Sequence, residues 1–364
     1  MAGAPPTDAP VNPVYYEALE RQLATLRFVR TFKPFREVSR HFARDFTHDH
    51  GGYWDRRRAD YSDEMDVAVA EGLSHAAPYF WTRHMCQLLA QTADSLPAWT
   101  LRPQDLATSA GYLWFQEPLP ILDEIGKPVV DGERLRALSW CAVERMTSAM
   151  GIATGGGSSP NNEVVDLGYM VVAYTVYEGG TAYTPYVDVA HGTPRTPLMW
   201  KLGQTLQEFQ AGLERLYADT QFRQGIRAVA GMPPNFHRQQ MVKFGRYFAA
   251  AVALMNQTLV TTSHYRGDRA ARRRVKAITP PTVPDPEVVR AVELRRRQYV
   301  KKEHDPDHEP ERVDWSCQWT VRPHWREQWY PSEDRHKSIL IGSYVKGPPD
   351  KPLKAVGPLF WVKR

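Results

Sequence analysis

The stretch Tyr169-Met170-Val171-Val172-Ala173-Tyr174-Thr175-Val176-Tyr177 decides the fold of this chain. It is rich in β-branched and aromatic residues, which are the types that strands favour. Two shorter runs before it, at 111–115 and 138–140, have the same character, and Gly, Pro, Asp and Asn occupy the segments between them. We therefore predict a sheet between Trp99 and Tyr186.

Helical patterns flank this strand-rich middle. Apolar residues recur every three or four positions from Val14 to about Asp45, and we predict a break near Thr31 to Pro34 because Pro34 has no amide donor. Further helices are predicted over Asp66–Leu89, Pro197–Tyr217 and Phe236–Thr262. The predicted fold class is α+β, with helices packed on an antiparallel sheet and a small β module at the C-terminus.

Charge is distributed unevenly along the 364 residues. Residues 1–265 carry 24 Lys or Arg against 27 Asp or Glu, residues 266–302 carry 12 against 4, and residues 303–364 carry 10 against 10. We predict an α+β N-terminal domain over 1–265, a basic linker over 266–302 with a strand from Val288 to Val300, and a small β module over 303–364. Localised positive charge is typical of segments that bind phosphate backbones or an acidic partner.

The cysteine content and the N-terminus indicate the compartment. Cys86, Cys141 and Cys317 are few, distant and odd in number, which excludes a fully paired disulfide framework and favours a reducing environment. The first residues lack the pattern of a signal peptide, and no apolar run is long enough to span a bilayer. We expect a soluble, cytoplasmic protein with no membrane association and no cofactor. The oligomeric state stays open.

Aromatic and basic residues are concentrated in the tail. Four tryptophans fall within fifteen positions, which is more than a module of this size needs for its core: Trp315, Trp319, Trp325 and Trp329. We predict strands at 313–325, 338–345 and 355–363. Trp315, Trp319, Val321 and Trp325 share one parity and should face inward, which leaves Arg322, His324 and Arg326 around a kink at Pro323.

These residue types suit the recognition of nucleic acid. Arginine forks bind phosphates, and aromatic rings stack on unpaired bases. The favoured partner is RNA or a ribonucleoprotein, with an acidic protein as the alternative. The predicted binding residues are Arg269, Arg272, Arg273, Arg274, Arg295, Arg296, Arg297, Arg322, His324, Arg326, Gln328 and Trp329.

Catalytic and metal-binding hypotheses have weaker support in the sequence. No nucleophile elbow, metalloprotease helix or dinucleotide fingerprint is present. A nuclease could use His324 as general base with Arg322 or Arg326 on the phosphate. The glycine run at 154–159 lacks the Lys-Ser/Thr pair of a nucleotide loop and indicates a hairpin connection. Candidate metal ligands, which solvated residues at a helix end would equally explain, are His41, Asp45, His48 and His50.

The tail motif resembles a known group of sequences. The run Trp319-x-Val321-Arg322-x-His324-Trp325-Arg326-x-Gln328-Trp329-x-Pro331 is similar to the C-terminal module of an uncharacterised family from actinobacteria and their plasmids and phages. The order of a helical start, a strand-rich middle and a basic tail with Arg-x-His-Trp also resembles a type V anti-CRISPR family, although Pro323 stands where that motif has Gly. The resemblance implies a nucleic-acid-binding or translation-linked role and assigns no catalytic residue.

Overall fold

The computed structural model describes residues 16–31, 69–143, 168–177, 193–194, 198–220, 223, 233–266, 269–276, 288–294, 317–348 and 351–352. Within these ranges, helices pack on both faces of one large sheet. The predicted α+β fold class is confirmed.

The large sheet has eight strands in the order β5-β4-β3-β2-β1-β8-β7, and β6 pairs with β4 beside β5. β1 is parallel to both of its neighbours, and the other described pairs of this sheet are antiparallel. The strand bounds are Ala77–Trp81 for β1, Ala110–Pro120 for β2, Glu133–Val143 for β3, Gly168–Tyr177 for β4, Thr193–Pro194 for β5, Leu198–Lys201 for β6, Val260–Arg266 for β7 and Val288–Leu294 for β8.

Helices cover this sheet on two sides, because successive strand residues point to opposite faces. Tyr112 and Trp114 pack toward α1 (Tyr16–Thr31) and the helical residues 69–75, whereas Leu113 and Phe115 pack toward the helices at 83–92, 206–218 and 234–255. None of the described helices has both the length and the apolar character that crossing a bilayer requires. The helix bounds are Tyr16–Thr31 for α1, Arg83–Thr92 for α2, Leu206–Ala218 for α3, Pro234–Met255 for α4 and Arg269–Lys276 for α5.

Several predicted elements are confirmed. The deciding stretch forms β4, and the two shorter runs lie in β2 and β3. α1 covers Tyr16–Thr31 of the first predicted helix, and the rest of that prediction, including the break before Pro34, lies outside the described residues. These segments have a single strong pattern along most of their length, so local sequence was sufficient to identify them.

The prediction of one helix over Asp66–Leu89 is wrong. Tyr79, Phe80 and Trp81 belong to β1, a strand with parallel neighbours on both sides, and α2 begins only at Arg83. A strand buried on both faces shows a continuous apolar run instead of alternation, so its pattern is easily taken for part of a buried helix.

Two further helix predictions extend across a turn into a strand. Over Pro197–Tyr217, Leu198–Lys201 form β6, and α3 begins only at Leu206, where Thr205 and Glu208 form a capping box. Over Phe236–Thr262, α4 ends at Met255 and β7 starts at Val260. In both cases tertiary pairing of a short segment outweighs the helical pattern beside it.

The strand predicted in the basic segment 266–302 is present as β8, and it belongs to the large sheet. β8 pairs with β1 on one side and with β7 on the other, and Val289 and Val292 are fully buried. The basic helix α5 lies between β7 and β8 in the chain. The segment therefore contributes to the core as well as to the surface.

Candidate nucleic-acid interface

The described tail residues form one long β-ribbon. β9 (Trp319–Val321) pairs with β12 (Tyr344–Lys346), and β10 (His324–Tyr330) pairs with β11 (Arg335–Ile341). Val321 faces Tyr344 and His324 faces Ile341, so two residues on each strand separate the two ladders and the register continues unchanged. We call residues 319–330 and 335–346 the ribbon.

The ribbon is interrupted at Pro323, where the kink was predicted. In the shared register Pro323 stands opposite Gly342. Proline has no amide hydrogen to donate to the ladder, and glycine offers no side chain to pack there. The interruption is therefore a local loss of pairing within one hairpin.

Exposure alternates along the first strand of the ribbon from Val321 to Arg326, and beyond Arg326 the pattern reverses. Val321, Pro323 and Trp325 are half-buried, whereas Arg322, His324 and Arg326 are exposed. The predicted parity is thus confirmed for Trp325, which packs against the main core. The three basic side chains share the outward parity on both sides of Pro323.

The face of the ribbon that carries Trp325 and Leu340 attaches it to the body of the protein. The Trp325 Nε1 donates to the carbonyl oxygen of Thr92 at 3.1 Å, and Leu340, which faces Trp325 across the ribbon, is 5% exposed. Gln257, just beyond α4, donates to the Ser338 carbonyl at 3.2 Å and accepts from the Leu340 amide at 3.1 Å. These contacts hold one end of β10–β11 against the domain.

The residues that share the parity of Arg322, His324 and Arg326 form a surface that we call the basic face. Its members Gln328, Tyr330 and Lys337 are half-buried. Gln328 pairs with Lys337, and the Lys337 Nζ lies 4.7 Å from the centre of the Tyr330 ring. Glu327 belongs to the opposite face, where it pairs with Ser338. No Asp or Glu occurs among the residues of the basic face, which by register are Thr320, Arg322, His324, Arg326, Gln328, Tyr330, Arg335, Lys337, Ile339, Ile341, Ser343 and Val345.

His324 has a defined tautomer on this face. Its Nδ1 lies 2.9 Å from the Arg322 carbonyl oxygen, so Nδ1 carries the hydrogen and donates it. Nε2 then remains an acceptor in the neutral ring. Within the described ranges no carboxylate is hydrogen-bonded to this histidine, and its role as a general base stays a prediction.

Trp329 lies apart from the other predicted binding residues. It is 42% exposed, but its parity places it on the face opposite Arg326. There its ring packs at an angle against His336, with centroids 5.0 Å apart. Gln328, by contrast, belongs to the basic face, and its Nε2 donates to the Trp329 carbonyl at 3.2 Å.

The other predicted basic residues are distributed between α5 and parts of the chain outside the described ranges. Arg269 and Arg273 are exposed on α5, four residues apart and therefore on one side of the helix, while Arg272 is half-buried and Arg274 belongs to the same helix. Outside the described residues lie Arg295, Arg296, Arg297, Trp315, the glycine run at 154–159 and the candidate metal ligands His41, Asp45, His48 and His50.

Sequence reasoning missed Lys337 and Tyr330, which join the basic face through strand pairing. The turn between β10 and β11 contained the missing signal. Pro331 starts a short 3-10 turn, and Asp334 has a positive φ of 48°. Pro and Asp between two strand-like runs indicate a hairpin, and a hairpin here places Lys337 beside Gln328.

The described residues show no alternative chemical centre. No three His, Cys, Asp or Glu side chains among them are grouped to hold a metal ion. A pocket of about 450 Å³ lies near Tyr217 and Arg238. The Tyr217 hydroxyl is hydrogen-bonded to His237, and Arg238 is ion-paired with Glu214. The polar groups at this pocket are thus already engaged with one another.

Comparison of the chain with protein-family models, with curated proteins and with solved structures finds no match. The geometry of the ribbon and the chemistry of its basic face are therefore the features that indicate a function.

Proposed function

We propose that this chain is a non-enzymatic RNA-binding protein of a phage or mobile element, and that the basic face of the ribbon contacts the RNA. One observation carries the proposal. Arg322, His324 and Arg326 occupy one exposed face, Lys337 lies across the strand pair, and no acidic residue interrupts them.

The spacing of this face suits a single strand. Alternate residues of a strand are about 6.6–6.8 Å apart, so the side chains form a row of donors along an extended backbone. His324 and Tyr330 add rings on which unpaired bases can stack. The deep, narrow major groove of double-stranded RNA excludes side chains, whereas the major groove of B-form DNA admits a two-stranded ribbon. Duplex DNA is therefore the competitor to test.

The biological setting of the proposal comes from the tail motif. Its resemblance to phage, plasmid and anti-CRISPR proteins favours RNA or a ribonucleoprotein as the target and an anti-defence or regulatory role. In such a role the protein acts by occupying its target, so tight binding without turnover is the expected behaviour.

Fluorescence anisotropy tests the proposal. The ligands are a labelled single-stranded RNA of roughly 20 nucleotides, the DNA of the same sequence, and the corresponding DNA duplex. We expect Arg326→Gln with Lys337→Gln to weaken RNA binding at least about tenfold, because two charge-assisted contacts are lost. The matched control, Lys127→Gln with Arg215→Gln, removes two exposed charges elsewhere and should bind like wild type.

Two results would contradict the proposal. One is equal RNA affinity for the ribbon variant and the control variant. The other is tighter binding of duplex DNA than of single-stranded RNA. A protein that is still recovered with this chain from a nuclease-treated host lysate would favour an acidic protein partner, which the same basic face would also attract.

A nuclease remains the second candidate, because His324 exposes Nε2 as an acceptor between Arg322 and Arg326. In that case wild-type protein cleaves the labelled RNA, and His324→Gln stops cleavage while affinity stays within a few-fold. RNA that stays intact during prolonged incubation with wild-type protein rules this candidate out for that substrate.

A further inference from the structure

A second basic site lies at the β7 edge of the large sheet. His264 on β7 stands directly opposite Arg290 on β8. Both side chains are half-buried. Two basic groups in direct cross-strand opposition repel each other whenever both are charged, so this pair destabilises the sheet unless something compensates it.

Nothing among the described residues compensates Arg290. Its guanidinium carbon lies 5.6 Å from the centre of the Tyr79 ring, and no hydrogen bond or ion pair joins its side chain to another described residue. A guanidinium has five N–H donors, which are ordinarily satisfied when the group is partly removed from water. Stacking on Tyr79 positions the fork of Arg290 and leaves its donors available.

His264 likewise has no compensating negative charge among the described residues. Burial, together with the positive charge of Arg290, lowers the pKa of His264, and no described carboxylate offsets either effect. Glu293 is close in sequence but lies on the opposite face of β8, because its parity differs from that of Arg290. An anion beside the pair would compensate both groups.

Tyr79, the ring next to Arg290, is held by contacts on two sides. The Tyr79 hydroxyl lies 3.2 Å from the Thr108 hydroxyl, and the Tyr79 ring packs against Trp140 with centroids 5.3 Å apart. Tyr79 is 2% exposed, so the ring beneath Arg290 is fixed by its surroundings. Arg290 is therefore held above a rigid aromatic base.

The site lies on the same side of the sheet as the ribbon attachment. His264 shares its parity on β7 with Val260, and Val260 belongs to the core beneath α4. The Val260 amide donates to the carbonyl of Gln257 at 3.0 Å, and Gln257 is the residue that holds the ribbon. The ribbon attachment and the His264–Arg290 pair are thus both connected to β7.

We propose that Arg290 and His264 together bind one phosphate group between them. The guanidinium and the protonated imidazole would each donate to its oxygens, as charge-assisted pairs do. A phosphate in RNA and free inorganic phosphate present the same chemistry. The assignment of RNA as the source rests on the proposed function, whereas the phosphate site itself does not.

Proton NMR of the full chain tests the site with inorganic phosphate as the probe. The His264 ring signal is identified by its loss in His264→Gln, and its pKa is measured in phosphate and in chloride at equal ionic strength. Bound phosphate favours the protonated ring, so the pKa of His264 should be higher in phosphate in wild type and unchanged by phosphate in Arg290→Gln. An identical titration of wild type in both anions overturns the proposal.

Two further variants separate loss of the site from loss of the fold. Arg290→Lys keeps the charge without the fork and should retain a smaller phosphate effect. Arg215→Gln removes an exposed guanidinium from α3, which packs over the β4–β6 end of the sheet through the Phe209–Trp200 stack, and should leave the phosphate effect intact. Circular dichroism confirms that each variant is folded before its titration is interpreted.

A parallel arm with single-stranded RNA assigns the source of the phosphate. If RNA is the ligand, Arg290→Gln lowers affinity and reduces the slope of log affinity against log salt by about 0.7, the contribution of one phosphate contact on a single strand. A phosphate effect on His264 without any RNA binding would retain the site and contradict the proposed function. RNA binding that Arg290→Gln leaves unchanged, with no phosphate effect on His264, would retain the proposed function and contradict the site.

Discussion

Trp325 and Thr92 are 233 positions apart in the chain, and the indole Nε1 of Trp325 donates to the Thr92 carbonyl oxygen across 3.1 Å. Thr92 ends α2, so this bond joins the tail to a helix that packs directly on the large sheet. Together with the two bonds of Gln257, it fixes which face of the ribbon points outward. The orientation of Arg322 and Arg326 is therefore a property of the whole fold.

Removing the Trp325 bond should lower stability modestly. Trp325→Phe keeps an aromatic ring against the core but removes the indole donor. The Thr92 carbonyl then keeps the bond from the Ser95 hydroxyl at 3.0 Å, and we expect a loss of about 1 kcal/mol in the free energy of unfolding. Urea denaturation measures the loss. Trp329→Phe is the matched control, because Trp329 is exposed on the outer part of the ribbon. Equal stability of the two variants would contradict the anchoring role of Trp325.

A methyl group at Gly111 should be poorly tolerated. A Cβ built there would lie 2.1 Å from Cζ2 of Trp140, and that indole is held in place by its Nε1 donating to the Thr108 carbonyl at 3.1 Å. We expect Gly111→Ala to cost about 1–3 kcal/mol through overpacking. Gly342→Ala is the control, since a Cβ there meets nothing within 4 Å. Thermal unfolding should give a lower midpoint for Gly111→Ala than for Gly342→Ala. Similar midpoints would argue against the close packing of Trp140.

The cysteines should differ in reactivity. Burial raises the pKa of Cys86 to about 12 and that of Cys141 to about 11, so neither forms much thiolate at neutral pH. Cys317 is half-buried on the ribbon side of the chain. We expect a disulfide reagent to modify Cys317 first in the native protein, and Cys317→Ser to abolish the fast phase. Rapid labelling of Cys86 without denaturant would contradict the burial of β1 and α2.

The start of α3 should make a pH-dependent contribution. The Thr205 amide and hydroxyl both donate to Glu208, and these bonds lower the pKa of the Glu208 carboxyl. A carboxylate whose pKa is lowered by folding stabilises the fold at pH values above its pKa in the unfolded state. That contribution is lost as the pH falls through its pKa in the folded state. Thr205→Ala should cost about 1 kcal/mol at neutral pH.

The test of this cap is the difference in stability between wild type and Thr205→Ala, measured by denaturation at neutral pH and near pH 3. The difference should shrink in acid as the pH falls through the lowered pKa of the Glu208 carboxyl. Glu208→Gln serves as the control, since its side chain accepts hydrogen bonds at any pH. A difference that stays constant with pH would rule out the ionised capping box.

The sequence was informative where a pattern is local. The run over Tyr169–Tyr177 was identified because β-branched and aromatic residues fill it. The face on which Trp325 lies followed from the two-residue repeat of side chains along a strand. The run Tyr79–Trp81 was misassigned, since its continuous apolar character comes from parallel neighbours that lie far away in the chain.

The site residues that sequence reasoning missed have a common physical reason. Lys337 joins the basic face, and His264 meets Arg290, only through strand register. Register is set by turn geometry and by which face of each strand is buried, and neither is visible in a charge count. The excess charge of 266–302 includes Arg290 but does not distinguish it from its neighbours.

The salt dependence of RNA binding tests the central claim most directly. Affinity for the single-stranded RNA is measured by anisotropy from about 50 to 200 mM salt, for wild type and for Arg326→Gln with Lys337→Gln. Each phosphate contact on a single strand contributes about 0.7 to the slope of log affinity against log salt, so the double variant should have a slope about 1.4 smaller than wild type. Parallel slopes for the two proteins, or wild-type binding that does not change with salt, would contradict the assignment of the basic face.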